Sequence, residues 1–337
     1  MEKVVAGVIG AGRIGKLHIN NLKTNQNVRL KMVSELFADD LQEWFKDSGV
    51  EEITKDYQDI FEDEDINTVF ICSPTSTHAD LIKLAASYKK HVFCEKPISF
   101  NDEETLEAYE QIKEAGVKFQ VGFNRRFDKN FQEMQSRVEN RKVGDVHVLK
   151  ITSRDPKPPH LDYIETSGGL FMDMSIHDFD MARYLVGSEV VEVYAKGAAI
   201  VNPEIGEMED IDTAVITLTF DNGALGVIDN SREAVYGYDQ RIEVFGNGGA
   251  IVADNETATN LKYYHSNTVE IDQPLHFFLE RYNESFIRET QEFVDSILND
   301  TETKVVFKDG IMAQRIAMAA KQSNDSGKPV KVNHEIG

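Results

Sequence analysis

The sequence predicts an α/β protein in which a doubly wound parallel sheet is followed by an α+β domain built on a large, mostly antiparallel sheet. Three observations predict it. Through the first 120 or so residues, short apolar runs alternate with helical stretches, the pattern of strands joined by helical crossovers. Beyond residue 123 the apolar residues fall into longer runs of period two, joined by the turn sequences DNG and GNGG. The length of 337 residues exceeds one ordinary core and falls short of three, so two domains are expected, 1–122 and 123–337.

Each element follows from its own residues. VVAGVIG opens as a buried strand, GKLHINNLK continues as a helix, and VRLKMVSE, TVFICSP, HVFCEKP and VKFQVGF supply further strands. Between them ADDLQEWFKDSG, HADLIKLAASY and DEETLEAYEQIKEAG read as helices, long enough to return the chain for parallel pairing. In the second half DVHVLKITSRD, DTAVITLTF, ALGVIDNSRE and QRIEVFGNGGAIVAD alternate apolar and polar residues, as antiparallel strands with one covered face do. Helices are expected around FMDMSIHDFDMARYLV and RYNESFIRETQEFVDSILND. A last helix, DGIMAQRIAMAAKQSNDSG, ends at Gly327 ahead of a short strand, PVKV.

Composition excludes several classes. Thirty-six Lys and Arg against 58 Asp and Glu leave a net charge of −22, which repels a phosphate backbone and argues against nucleic-acid binding. No apolar run approaches the roughly 18–20 residues that a membrane span needs. The N-terminal MEKVVAGVIG reads as strand and turn rather than as a targeting signal, so a soluble, cytoplasmic protein is expected. Cys72 and Cys94 sit in apolar strand-like runs, without CxxC spacing or a histidine partner pattern; reduced thiols and no metal site are expected.

The residues 10–15, GAGRIG, lie between a buried strand and a helix. Gly10 permits the tight turn, Gly12 lets the backbone approach a pyrophosphate, and Gly15 allows close helix packing, while the helix start offers free N–H groups to an anion. Glu35 ends the second strand 20 positions after Gly15, where a carboxylate accepts from ribose hydroxyls. A 2′-phosphate would be repelled there, and Leu36 and Phe37 provide no arginine to neutralise it, so the cofactor of this Rossmann-type domain is expected to be NAD rather than NADP. Pro74 and His78 of CSPTSTH, and Glu95 and Lys96 of HVFCEKP, follow adjacent strands at the end where open α/β sheets bind ligands. In the second domain Asp173 and His177 are four residues apart, a spacing that puts both on one helical face and lets a carboxylate orient an imidazole base, although ordinary helix surfaces carry such pairs too.

As a whole the chain resembles the Gfo/Idh/MocA family of NAD(P)-dependent sugar and polyol oxidoreductases. GAGRIGKLH, CSPTSTH, VFCEKP, QVGFNRRF, GGLFMDMSIHDFD and YGYDQRIEVFG stand in the family's order and spacing over nearly the full length. Within the family it is most similar to the inositol 2-dehydrogenases, through ITSRDP, SIHDFDMARYL and NSREAVYGYDQRIEVFG. The resemblance implies NAD held by Gly10, Gly12, Arg13, Ile14, Gly15, Glu35, Ser73, Pro74, Thr75, His78, Glu95 and Lys96. It implies catalysis by Lys96, Asp173 and His177, and a polyol pocket that adds Asn124, Arg125, Asp155, Tyr236 and Tyr238. The implied reaction is oxidation of myo-inositol, or a close cyclic polyol or sugar, to the 2-keto product, in a homotetramer without metal. Scyllo-inositol and glucose are the alternative substrates, and a non-catalytic dinucleotide sensor is the alternative class.

Overall fold

The computed structural model describes residues 3–336, and the chain forms two compact units. One holds the described residues through Asn124 together with Glu284–Gln314 and Ile336; the other holds Arg125–Asn283 and Arg315–Glu335. The first crossing falls between Asn124 and Arg125. The expectation that everything after residue 122 forms the second domain does not hold, because two later segments return to the first unit.

That unit is built on a parallel sheet of β1 (Val4–Ile9), β2 (Val28–Ser34), β3 (Glu52–Thr54), β4 (Thr68–Ile71), β5 (His91–Cys94) and β6 (Phe119–Val121), in the order β3-β2-β1-β4-β5-β6. The order reverses between β1 and β4, so the loops after these two strands splay apart and leave a crevice at their C-terminal ends. All four residues of β4 are buried, as expected for a strand covered on both faces. The helix Arg13–Thr24 turns Ile19 and Leu22 onto the sheet. Phe70 stacks on Phe93 at 5.0 Å between ring centroids, and Phe293 meets Phe70 edge-on at 5.7 Å.

Phe293 explains the unexpected boundary. It belongs to the helix Asn283–Leu298, whose residues Phe293 and Val294 are fully buried in the core of the first unit. The edge strand β6 is closed by the same return: Val121 N–H donates to Val305 O at 3.3 Å, and Thr303 Oγ1 donates to Phe119 O at 2.6 Å. An uncovered β6 would present unpaired backbone groups, so covering it removes a liability of the open sheet.

The second unit carries β7 (Val146–Arg154), β8 (Val190–Ala198), β9 (Thr213–Phe220), β10 (Leu225–Ser231), β11 (Asp239–Gly246), β12 (Gly249–Ala253) and β15 (Val330–Lys331), with a separate hairpin of β13 (Lys262–Tyr264) and β14 (Val269–Ile271). The seven-stranded sheet has the order β12-β11-β7-β10-β9-β8-β15, and β7 with β10 is its parallel pair. Along β9 the alternation is plain: Ala214, Ile216, Leu218 and Phe220 are buried, while Val215 is 54% exposed. The helix Ile176–Val186 packs on β7 and buries Phe179, Met181 and Leu185.

Phe293→Ala should lower the unfolding midpoint by the equivalent of about 3–5 kcal/mol, the usual cost of emptying a buried aromatic site. Thermal or urea unfolding followed by circular dichroism checks it; a shift under 1 kcal/mol would show that this helix does not complete the core.

Candidate active site

The glycine loop sits at the switch point of the first sheet. Gly10 has φ +93°, and a Cβ there would lie 2.8 Å from the backbone of Cys72 and Ser73. A Cβ on Gly15 would lie 2.0 Å from Gly10 O, so helix and loop pack as only glycine allows. Gly12 differs, because a Cβ there would meet nothing within 4 Å. Gly12 is also the N-cap of the helix Arg13–Thr24 and makes no side-chain cap bond, so the helix start and the space in front of it stay open for an anion. Arg13 is exposed and Ile14 half-buried at the same helix start.

Glu35 is already docked on this loop. Its Oε2 accepts from Ala11 N–H at 2.7 Å and its Oε1 from Phe37 N–H at 3.0 Å, which aims the carboxylate at the loop and leaves acceptor capacity for ribose hydroxyls. Leu36 and Phe37 are 72% and 68% exposed beside it and bring no positive charge. The open Gly12, the uncapped helix start and this carboxylate fit NAD, whose pyrophosphate and adenosine ribose they would hold.

The next strand ends are held by residues that the sequence reading assigned to the cofactor. His78 is buried, with Nδ1 2.8 Å from Pro97 O and Nε2 2.8 Å from Ser73 O, so the imidazole straps the loop after β4 to the loop after β5. Ser73 Oγ and Thr77 Oγ1 are hydrogen-bonded at 2.7 Å around Pro74 and the 3-10 turn that begins at Thr75. Glu95 points inward to His18 Nε2 at 2.8 Å, and a Cβ on Gly122 would lie 3.0 Å from its carboxylate. Glu95 and His78 therefore support the crevice from behind. Lys96 lies two residues beyond β5, after Glu95, and is half-buried, and Asn124 is buried at the start of the turn Asn124–Phe127.

In the second unit Asp173 and His177 lie on one helical run, but Phe171–Ser175 is a π-turn that leads into the α-helix Ile176–Val186. The even α-helical spacing assumed from sequence is interrupted between them. Such turns are concentrated at functional sites. Both oxygens of Asp173 are held from outside its helix: Tyr163 OH donates to Oδ1 at 2.8 Å, and Arg232 Nη1 donates to Oδ2 at 3.1 Å. Below this turn Asp178, fully buried, accepts from Arg125 Nη1 at 2.5 Å and from Asn230 Nδ2 at 2.8 Å. Asn230 Oδ1 in turn accepts from Ser175 Oγ at 2.6 Å. Arg125, read from sequence as a polyol contact, is thus also engaged in a buried ion pair that anchors this helix to the turn Asn124–Phe127.

Asp155 leaves β7 one residue after Arg154, which registers with Ser231 on β10; Asp155 N–H donates to Ser231 O at 2.9 Å. Burial pushes the Asp155 carboxyl up to about 6, with Arg232 opposing and Asp173 reinforcing the shift. Tyr238 is buried edge-on against Tyr282 at 6.0 Å, and burial raises its hydroxyl well above the usual phenol range, so it stays a neutral donor and acceptor. Tyr236 is spent more locally, donating to Asp239 Oδ2 at 2.6 Å and accepting from Arg154 Nη1 at 3.1 Å. Tyr163 and Arg232, which grip Asp173, were missed in the sequence. Arg232 lies inside the quoted NSREAVYGYDQ, but one arginine after a strand carries no signal until the register places it beside Asp155.

Residues 4–123 match the family model described as the oxidoreductase family NAD-binding Rossmann fold, and residues 131–252 match the Gfo/Idh/MocA C-terminal domain. The chain is 55% identical over 333 residues to the uncharacterized oxidoreductase YrbE of Bacillus subtilis, covering 99% of this chain and 98% of that protein. It is 48% identical to the myo-inositol 2-dehydrogenase of Thermotoga maritima, covering 98% and 99%. The crystal structure of scyllo-inositol dehydrogenase from Lactobacillus casei with bound NAD(H) and scyllo-inositol superimposes with a TM-score of 0.91 at 30% identity, covering 98% and 99%.

Two outcomes follow from the site's geometry. Gly12→Val adds atoms where the protein has none, so the melting temperature should stay put while NAD binding weakens about tenfold or more, about 1.4 kcal/mol; fluorescence titration beside a melting curve reads both. Asp155 holds its proton more tightly in the folded chain than in the unfolded one, where the value is about 3.9, so its ionisation opposes folding as pH rises from about 4 through about 6. Asp155→Asn should therefore be more stable than the parent at pH about 8 and equal to it below pH about 4. Melting curves across that range would contradict this if the difference were constant.

Proposed function

The chain belongs to the Gfo/Idh/MocA oxidoreductase family, and from that premise we propose that it oxidises myo-inositol, or a close cyclic polyol or sugar, to the 2-keto product with NAD. The observation that carries this reading is the donor and acceptor set around Asp173. Tyr163, Arg232 and Asp155 surround a carboxylate on the helical run of His177 with groups suited to hydroxyls.

When bound, the nicotinamide supplies the hydride acceptor. The chain supplies the proton chemistry. Lys96 hydrogen-bonds the reacting hydroxyl oxygen and, as a cation, stabilises the alkoxide character that develops on it as the C–H bond breaks. His177 takes the hydroxyl proton, and Asp173 favours the resulting imidazolium. Tyr163 and Arg232 keep the Asp173 carboxylate oriented, which lowers the reorganisation needed at the moment of transfer. Tyr238, Asp155 and Asn124 are the remaining polyol contacts in this reading.

The exposed face of the second sheet supports assembly as a homotetramer. Val215, Leu225, Phe245 and Val252 are 54%, 53%, 45% and 54% exposed on it, an apolar surface of the kind that subunits cover. The two free thiols, Cys72 and Cys94, and the need for NAD support a cytoplasmic setting.

A panel of inositols and sugars assayed with NAD and with NADP tests the reading. Turnover should be greatest on an inositol and favour NAD; a substrate outside the polyols, or equal use of NADP, would overturn it. Lys96→Ala should lower kcat by roughly 10²–10⁴ with NAD affinity kept. Near-normal turnover in that variant would remove Lys96 from the role.

A further inference from the structure

Arg232 is 1% exposed, among the most deeply buried large side chains. One terminal nitrogen, Nη1, is used on Asp173. The other two, Nε and Nη2, are buried and have no hydrogen-bond partner among the described residues. An arginine with two donors left dry is costly to hold, by about 1–3 kcal/mol for each unsatisfied group. Its neighbours could have been arranged to satisfy it, as Asp178 satisfies Arg125.

The two orphaned nitrogens have a shape. Nε–H and the Nη2–H on the same side of the planar guanidinium form parallel prongs, the edge that elsewhere takes a carboxylate or any acceptor pair of similar spacing. The surrounding charges select between these. Asp173 is bonded to Arg232, and Asp155 lies beside it at the paired ends of β7 and β10, so the single positive charge already faces two carboxylates. Arg125 and Asp178 neutralise each other close by. A further anion would add repulsion, whereas two neighbouring hydroxyls add none. Asp155 completes the match: its carboxylate has no hydrogen-bond partner among the described residues and accepts what a hydroxyl donates.

We propose that Arg232 is a substrate-binding, specificity-determining residue whose Nε–H and Nη2–H edge takes two adjacent hydroxyl oxygens of the polyol, which donate in turn to Asp155. The inference rests on the polyol-oxidising reading above and deepens it. The arginine thereby links recognition to the proton chemistry, because the same guanidinium steadies Asp173 through Nη1. A sugar lacking either hydroxyl would leave a buried cationic donor unpaired, and the site would reject it for that reason.

The test uses the full-length protein with NAD, comparing the unmodified chain with Arg232→Lys and Arg232→Gln on the best inositol and on its set of monodeoxy analogues. In the unmodified chain two deoxy analogues, lacking neighbouring hydroxyls away from the reacting carbon, should show KM raised about 10- to 100-fold, the range for losing a hydrogen bond to a charged group. In Arg232→Lys the parent inositol should show a KM raised to a similar degree, with kcat changed much less, and the penalty for those two analogues should disappear. NAD affinity should match the unmodified chain in Arg232→Lys, and a cooperative melting transition shows that this variant is folded, so that it carries the test if Arg232→Gln does not fold. Discrimination against the two analogues that survives in Arg232→Lys would overturn the inference, leaving the prongs to buried water. Equal loss in kcat and KM for every analogue would overturn it too, showing a role confined to Asp173. An unmodified chain that oxidises no polyol would overturn the reading of the function, and this inference with it.

Discussion

A carboxylate with no exposure to water, Asp178, holds together the π-turn that carries Asp173, the helix after it and two strands of the second unit. Burying that charge is expensive, and it is tolerated because Arg125 takes one oxygen and Asn230 the other. Asn230 lies on β10 and also reaches Ser175 Oγ and Ser153 O, so one knot joins the end of the π-turn, the first turn of the following helix and the parallel pair β7 and β10. Losing either charged partner, Arg125 or Asp178, would leave a buried charge uncompensated, at about 3–5 kcal/mol. A π-turn is less regular than the helix it interrupts, and its ends must be held if Asp173 is to keep one orientation. Asp178 holds the C-terminal end; Tyr163 and Arg232 hold the carboxylate itself.

The first unit solves a different problem with the same economy. An acidic chain of net charge −22 belongs to a family whose cofactor is an anionic dinucleotide, and the donors it offers at the crevice are mainly backbone ones, with Arg13 exposed beside them. Attraction comes from backbone N–H groups at an uncapped helix start, where the field is local and the space at Gly12 is clear. The polar side chains around the crevice face inward and act on its walls: His78 joins two loops through their carbonyls, and Glu95 meets His18. Glu35, resting on Ala11 N–H, keeps its carboxylate and the glycine loop in fixed relation. A site assembled in advance in this way has little conformational entropy left to lose when its ligand binds.

Much of this was legible in the sequence. Alternation of strands and helices, the spacing of three glycines and the acidic residue 20 positions on are local patterns imposed by backbone geometry, and they specified the first sheet and its crevice before any contact was known. Period-two runs likewise specified the second sheet, though not the parallel pairing of β7 with β10, because alternation reports which face is covered and is silent on strand direction. The helical run that carries Asp173 and His177 was identifiable, whereas the π-turn was not, since the sequence periodicity of five residues cannot distinguish a widened turn from an ordinary one.

Tertiary structure alone decided the rest. The return of Phe293 to the first core depends on contacts between residues some 200 positions apart in the chain, beyond the reach of any local pattern. His78, Glu95 and Arg125 have the residue types of ligand contacts, and only their hydrogen-bond partners show that they also brace the fold. Arg232 is the converse case. Nothing in its neighbourhood along the chain distinguishes it, and its meaning arises when strand register sets it beside Asp155 and packing removes water from two donors that no side chain then satisfies. Sequence determines which groups exist and how the backbone repeats; burial and pairing, which depend on the whole fold, determine which of those groups still have hydrogen bonds to give.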